Sequence, residues 1–213
     1  MKAIITGDII DSTMVPIDKR KKLISVIKVA ISYVSKFSPL KYEIFRGDSF
    51  QIVIEHPEKS LLMAILLRAY LRMSTPKDCK ISWDARLAIG IGEIEFQSTD
   101  IASSDGEAFR LSGRGLDNIG KKNLGIFTSW EDINEEMKIS TIFADDIISN
   151  WSISQAETII ESIGENHIQK EIAAKFGKTQ QAVNKILISA KDNLIKLYIK
   201  RFETIILNKI EAS

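Results

Sequence analysis

Two aspartates stand where a cation could be held. Asp8 closes a short apolar run, Lys2 to Thr6 followed by Gly7, that fits a buried strand. Asp48 comes about forty residues later in Arg46-Gly47-Asp48-Ser49, between two β-rich runs, Tyr42 to Phe45 and Phe50 to Ile54, that read as a hairpin. Carboxylates brought together from adjacent strand ends repel each other, and a cation usually offsets that cost. Oxygen ligands of this kind suit Mg²⁺ or Mn²⁺, which in turn bridge the phosphates of a nucleotide. Gly47, with no Cβ, lets the backbone approach such a ligand closely. The plain alternative is that each Asp is simply a turn residue.

A second chemistry lies near the C-terminal end. Ile168, Ile172, Ala173 and Phe176 fall on one face of a helix that Gly177 can end in a left-handed conformation. Thr179 is then a natural N-cap for a helix lined by Ala182, Val183, Ile186, Leu187 and Ala190. With that stripe turned inward, Gln180, Gln181, Asn184, Lys185 and Ser189 face outward. Side-chain amides can bond adenine edges in the major groove, while Lys178 and Lys185 can neutralise phosphates. Residues from about 153 to 213 therefore read as a helix-turn-helix unit for double-stranded DNA, with a structural or protein-binding helical unit as the alternative. Charge agrees: His167 to Ser213 holds nine Lys/Arg against four Asp/Glu, while the rest of the chain carries a formal −4.

Asp8-Ile9-Ile10-Asp11-Ser12-Thr13 resembles the D-I-x-x-S-T segment of class III nucleotidyl cyclase domains, and Arg46-Gly47-Asp48-Ser49-Phe50 resembles their hairpin Gly-Asp. Arg86-Leu87-Ala88-Ile89-Gly90-Ile91-Gly92-Glu93 follows their R-x-x-I-G strand loosely, and Gly106 to Arg114 follows their G-D-x-V-N-x-A-x-R helix without a gap. The resemblance spans about residues 1–128. It implies Asp8, Ile9 and Asp48 at a Mg²⁺ or Mn²⁺ site, Gly47 and Arg110 at a nucleotide, and Arg114 in the place of the transition-state arginine. It also implies a site shared by two protomers, hence a homodimer. Three positions depart from the pattern: Arg110 replaces an Asn that orients the sugar, Ile44 replaces a base-reading Lys, and Ser103 falls near the place of its Asp partner. The segment Gln169 to Ala190 resembles the helix-turn-helix of sigma-factor region 4. Taken whole, the chain resembles the SatD-like bacterial family.

These groups need elements to position them. Apolar residues at Leu23, Ile24, Ile27, Ile31 and Val34 mark a helix, and Pro57-Glu58 opens another through Leu61, Leu62, Ile65, Leu66 and Ala69. Ile81 to Ile91 reads as a strand with a short partner at Ile94 to Phe96, Ala108 to Ile119 as a helix, and Leu124 to Thr128 as a strand. The order β-α-β-β-α-β-α-β predicts an α+β sandwich, ferredoxin-like or nucleotidyl cyclase-like, with helices over one face of a mixed sheet. A helical connector leads from Ser129 to about Ser152 into the all-α helix-turn-helix domain, which divides the chain into 1–150 and 151–213. The last helix, with Leu194, Leu197, Ile199, Phe202, Ile206 and Ile210, has apolar surface to spare for the body or a second copy.

A lone Cys79, no signal-type N-terminus and no long apolar run predict a cytoplasmic chain with no membrane association. No Ser-His-Asp, zinc-ligand or P-loop pattern occurs. The expected function is a DNA-binding regulator, transcriptional in type, whose cyclase-like domain binds a nucleotide or phosphate with a metal. The alternatives are an active nucleotidyl cyclase or nucleotidyltransferase with a DNA-binding tail, and a catalytically inert interaction module.

Overall fold

The computed structural model describes residues 1–45, 48–95, 101 and 104–212. The first half runs β1 (Lys2–Ile9), α1 (Ile17–Val34), β2 (Leu40–Phe45), β3 (Ser49–Ile54), α2 (Ser60–Met73), β4 (Ala85–Gly92), α3 (Glu107–Asn118) and β5 (Leu124–Thr128). The described strands form one five-stranded sheet in the order β2-β3-β1-β4-β5. β1 is antiparallel to β3 and β4, β2 is antiparallel to β3, and β5 is parallel to β4. This is the mixed α+β architecture that the order of sequence patterns predicts.

Helices cover both faces, not one. Successive residues of a strand point to opposite faces, and β1 uses both: Ala3, Ile5 and Ile9 join α1 and α2, whereas Ile4 joins Val53 with Ala108 and Phe109 of α3. β4, an interior strand between β1 and β5, is buried at all but one position, as a strand packed on both faces must be. Gly90 makes the second packing possible. A Cβ there would lie 2.3 Å from the Ala108 carbonyl oxygen and 2.5 Å from the Ser112 nitrogen, so any side chain would lift α3 off the sheet.

β4 begins later than Ile81. Trp83 and Asp84 are drawn into the interior instead, with the Trp83 N–H bonded to the Thr75 hydroxyl at 2.9 Å. Ile94 and Glu95 form no strand, and Phe96, the end of that expected partner strand, lies outside the described residues.

The second half is helical: α4 (Glu131–Ser149), α5 (Ile153–Ile159) running into a π turn at Ile160–Gly164, α6 (Gln169–Phe176), α7 (Gln180–Ser189) and α8 (Asp192–Glu211). The main core crosses residue 150. Ala156, Ile159, Phe202 and Ile206 belong to the same apolar cluster as α2 and the sheet. That explains why α2 is buried almost all round, including Met63, Ala64, Leu67 and Leu71: the sheet takes one side and α1, α5 and α8 lie against the rest. α6 and α7 have their own small cluster, Ile172, Ala173, Val183 and Leu187. On α8 the buried row is Ile195, Tyr198, Ile199, Phe202 and Ile206, whereas Leu194 and Leu197 are turned outward.

A buried polar network fastens α2, β4 and α4. Arg68 donates to both Asp84 oxygens at 2.8 and 2.7 Å, to Asp145 at 2.7 Å and to Ser149 at 2.8 Å. Arg72 bonds Asp84 and the Trp151 carbonyl, at 2.8 and 2.9 Å. Burial works against the charge of Arg68, but the two carboxylates outweigh it and its pKa lies above the ordinary value. The network reaches the expected metal corner, because the Asp84 carbonyl accepts from the Ile10 N–H at 3.0 Å.

Candidate functional site

The backbone brings Asp8 and Asp48 to the same corner of the sheet. Asp8 occupies the end of β1, opposite Ser49 of β3, and the Ile9 N–H donates to the Asp48 carbonyl at 3.0 Å. The Ser12 hydroxyl donates to the Asp48 carboxylate at 2.7 Å. Ser12 is placed by a short 3-10 turn, Ser12–Met14, that follows Asp11 in a left-handed conformation. The Ile9 side chain is buried in the main core, so only its carbonyl could serve a cation. Arg46 and Gly47 lie outside the described residues.

One partner of this corner was missed at the level of sequence. Arg86 sits directly across from Asp8 in the β1–β4 register and grips its carboxylate with two bonds of 3.1 and 2.9 Å. The pair is half-open, with side-chain exposures of 38% for Arg86 and 29% for Asp8. The bond to Asp8 holds the Arg86 pKa above its ordinary value, and Asp117 near the end of α3 adds to the effect. Strand alternation could have flagged Arg86, which is polar in an otherwise apolar strand; its partner depends on register across 78 residues.

Among the described residues no group of three or more His, Cys, Asp or Glu side chains could hold a metal. Two carboxylates still suit Mg²⁺ or Mn²⁺, since Mg²⁺ commonly takes one or two carboxylates and completes its shell with water and ligand phosphates. Asp8, Asp48 and the Ile9 carbonyl offer the hard oxygen donors such a cation takes. Arg86 occupies one of them.

The other expected ligand residues sit on α3. Arg114 is exposed and its side chain makes no hydrogen bond or ion pair among the described residues. It lines a shallow cleft of about 390 Å³ with Glu107, Arg110, Leu111, Asn118 and Phe127. Arg110 is engaged: it bonds Glu95 at 2.5 Å and Asp105 at 3.0 Å. Ile44 packs against the main core; Ser103 lies outside the described residues.

In the second half, Gly177 is left-handed (φ 61°), and the Thr179 hydroxyl accepts from the Ala182 N–H at 3.2 Å, capping α7. Both features match the sequence expectation. Lys178, Thr179, Gln180, Gln181, Lys185 and Ser189 are exposed. Asn184 is half-buried, its amide oxygen accepting from Gln169 at 3.1 Å. Lys178 donates to Ser154 at 3.2 Å. Several basic residues of this region are neutralised: Lys175 by Glu161, Lys196 by Asp192, Arg201 by Glu136 and Lys209 by Asp132. Lys170 and Lys185, on α6 and α7, are exposed and have no ion pair among the described residues.

No protein-family model matches the chain, and no curated protein does. Among solved structures it is similar to the active GGEEF domain of a diguanylate cyclase from Vibrio cholerae, with 16% identity and a TM-score of 0.45, over 61% of this chain and 83% of that one. It is also similar to a bacterial light-regulated adenylyl cyclase, with 13% identity and a TM-score of 0.42, over 59% of this chain and 74% of that one. Among the described residues no helix is long and apolar enough to cross a membrane.

Proposed function

We propose that the protein binds a nucleotide, or another phosphate-bearing ligand, at the Asp8–Asp48 corner through Mg²⁺ or Mn²⁺, and that nucleotidyl transfer of the cyclase type is the chemistry this corner can support. The observation that carries the reading is that the backbone brings the two aspartates to one corner of the sheet. One ends β1, the other is tied to it through the Ile9–Asp48 backbone bond and the Ser12 hydroxyl. A bound cation would supply charge stabilisation at phosphate oxygens. Arg114, exposed on α3, adds a guanidinium suited to phosphate. Ile44 and the engaged Arg110 do not supply the base and sugar contacts of a cyclase, so turnover to a cyclic product is expected to be slow or absent. The family pattern also implies that two protomers complete the site.

The test is thermal stability across ATP, GTP and linear or cyclic dinucleotides, with and without Mg²⁺ or Mn²⁺. A nucleotide shift that needs the cation and vanishes in Asp48→Asn supports the reading. No shift with any nucleotide sinks it. Product analysis with Mn²⁺ present then separates binding from turnover.

A second reading, DNA binding by α6 and α7, is favoured by a different observation. α7 follows a left-handed glycine and a Thr cap, and presents Gln180, Gln181 and Lys185 on an open face beside the unneutralised Lys170. Joined to a nucleotide-binding body, such a reader would make a regulator, transcriptional in type.

A further inference from the structure

The expected cation site already contains a cation. Arg86 forks the Asp8 carboxylate from the neighbouring strand, and an arginine keeps its charge at any physiological pH. A divalent ion and this guanidinium cannot both hold the same two Asp8 oxygens. A second carboxylate, Asp117 in the last turn of α3, is close enough to act on Arg86 and is itself exposed. Asp48 has no such competitor: its one described side-chain partner is the neutral Ser12 hydroxyl.

We propose that Arg86 is a resident counter-ion that sets the metal affinity of the corner, bridging Asp8 while no metal is bound and turning towards Asp117 when a divalent cation displaces it. The inference rests on the metal-dependent reading given above and deepens it. Two features of the geometry support it, and the charge nearby agrees. The pair is half-open, so the guanidinium can leave without crossing a packed interior. Asp8 and Arg86 are opposite each other in an antiparallel ladder, so the backbone need not move when the bond breaks. Asp117 offers the released charge another carboxylate and spares it isolation. The consequence is selectivity: an ion that binds weakly on its own does not open the pair, whereas an ion arriving with ligand phosphates brings extra binding energy to do so.

Mn²⁺ binding to the full chain, read from the loss of the free Mn²⁺ resonance signal, tests this without any assay of turnover. Arg86→Gln is expected to bind Mn²⁺ roughly two- to fivefold more tightly than the natural chain, the range expected for a competing half-exposed ion pair. Asp8→Asn should lose the site, and Asp117→Asn should weaken it about twofold because the displaced guanidinium loses its second partner. Arg86→Lys keeps a charge without the fork and should fall between Arg86→Gln and the natural chain. Thermal melting of each variant checks that the fold is intact. Equal or weaker Mn²⁺ binding by Arg86→Gln, with the natural chain binding through Asp8, overturns the counter-ion role and leaves the metal reading standing. Absence of binding in every protein, Arg86→Gln included, overturns the metal reading itself.

Discussion

Replacing Arg68 with methionine probes how the candidate site is held. The side chain is fully buried, and methionine fills most of its volume, so the packing change is small. The electrical change is large. Asp145 loses its only ionic partner among the described residues and keeps the Asn123 N–H at 2.7 Å and the Ser149 hydroxyl at 3.2 Å, while Asp84 keeps Arg72 and the Ala85 N–H. Breaking a buried pair by removing one partner costs about 3–5 kcal/mol, because a charge is left uncompensated. For a chain of this size about 1 kcal/mol corresponds to about 2–4 °C in Tm, so a fall of roughly 6–20 °C is expected. Urea unfolding can be followed by tryptophan fluorescence, since Trp83 and Trp151 are buried at the two ends of the network. The midpoint should drop with the slope unchanged. Adding Asp145→Asn should recover part of the loss, a non-additivity of about 1 kcal/mol or more. A cost below about 1 kcal/mol for Arg68→Met, or strict additivity of the pair, would refute the claim that these charges hold α4 against the sheet.

Three further outcomes follow from named contacts. Gly90→Ala should destabilise by about 2–4 kcal/mol, since its Cβ would meet the backbone of α3 and not a movable side chain; chemical denaturation checks it. Glu165, just beyond the π turn, has its pKa lowered chiefly by its bond to Lys36. A depressed folded pKa gives stability that is complete above the ordinary value of 4.5 and is lost as pH falls through the lowered one; Glu165→Gln should therefore be slightly less stable than the natural chain at neutral pH, with a flatter acid limb, and the two curves should converge at low pH. For DNA, Gln181→Ala should weaken a preferred duplex by about 1–3 kcal/mol and random DNA hardly at all, whereas Lys185→Ala should weaken both and reduce the salt slope by roughly one. Fluorescence anisotropy across salt concentrations distinguishes them, and equal loss on both duplexes for Gln181→Ala would count against base reading. Truncation near residue 150 is a poor substitute for these variants. It would strip Ala156, Ile159 and Phe202 from the core shared with α2.

Local chemistry was enough for much of this molecule. The order of elements in the first half follows from apolar period and turn residues, and the strand Leu124–Thr128 and the hairpin around Asp48 fall where those patterns put them. Gly177 and Thr179 likewise act through bonds to residues only a few positions away, so their roles are readable without the fold. What failed was whatever depended on distant partners. The apolar pattern of α2 marked one face for burial, but its other sides are buried because α1 packs beside it and α5 and α8, from later in the chain, close over it. A period names the face that must be covered and not the element that covers it. The same limit applies to charge. Asp8 stands out in the sequence as an acidic residue after a strand; that it meets Arg86, and that Asp48 meets Ser12, is decided by sheet register. Arg68, Asp84 and Asp145 look like ordinary surface charges in their own segments, and only the stacking of α2, β4 and α4 removes them from water and makes them, with Arg72, compensate one another.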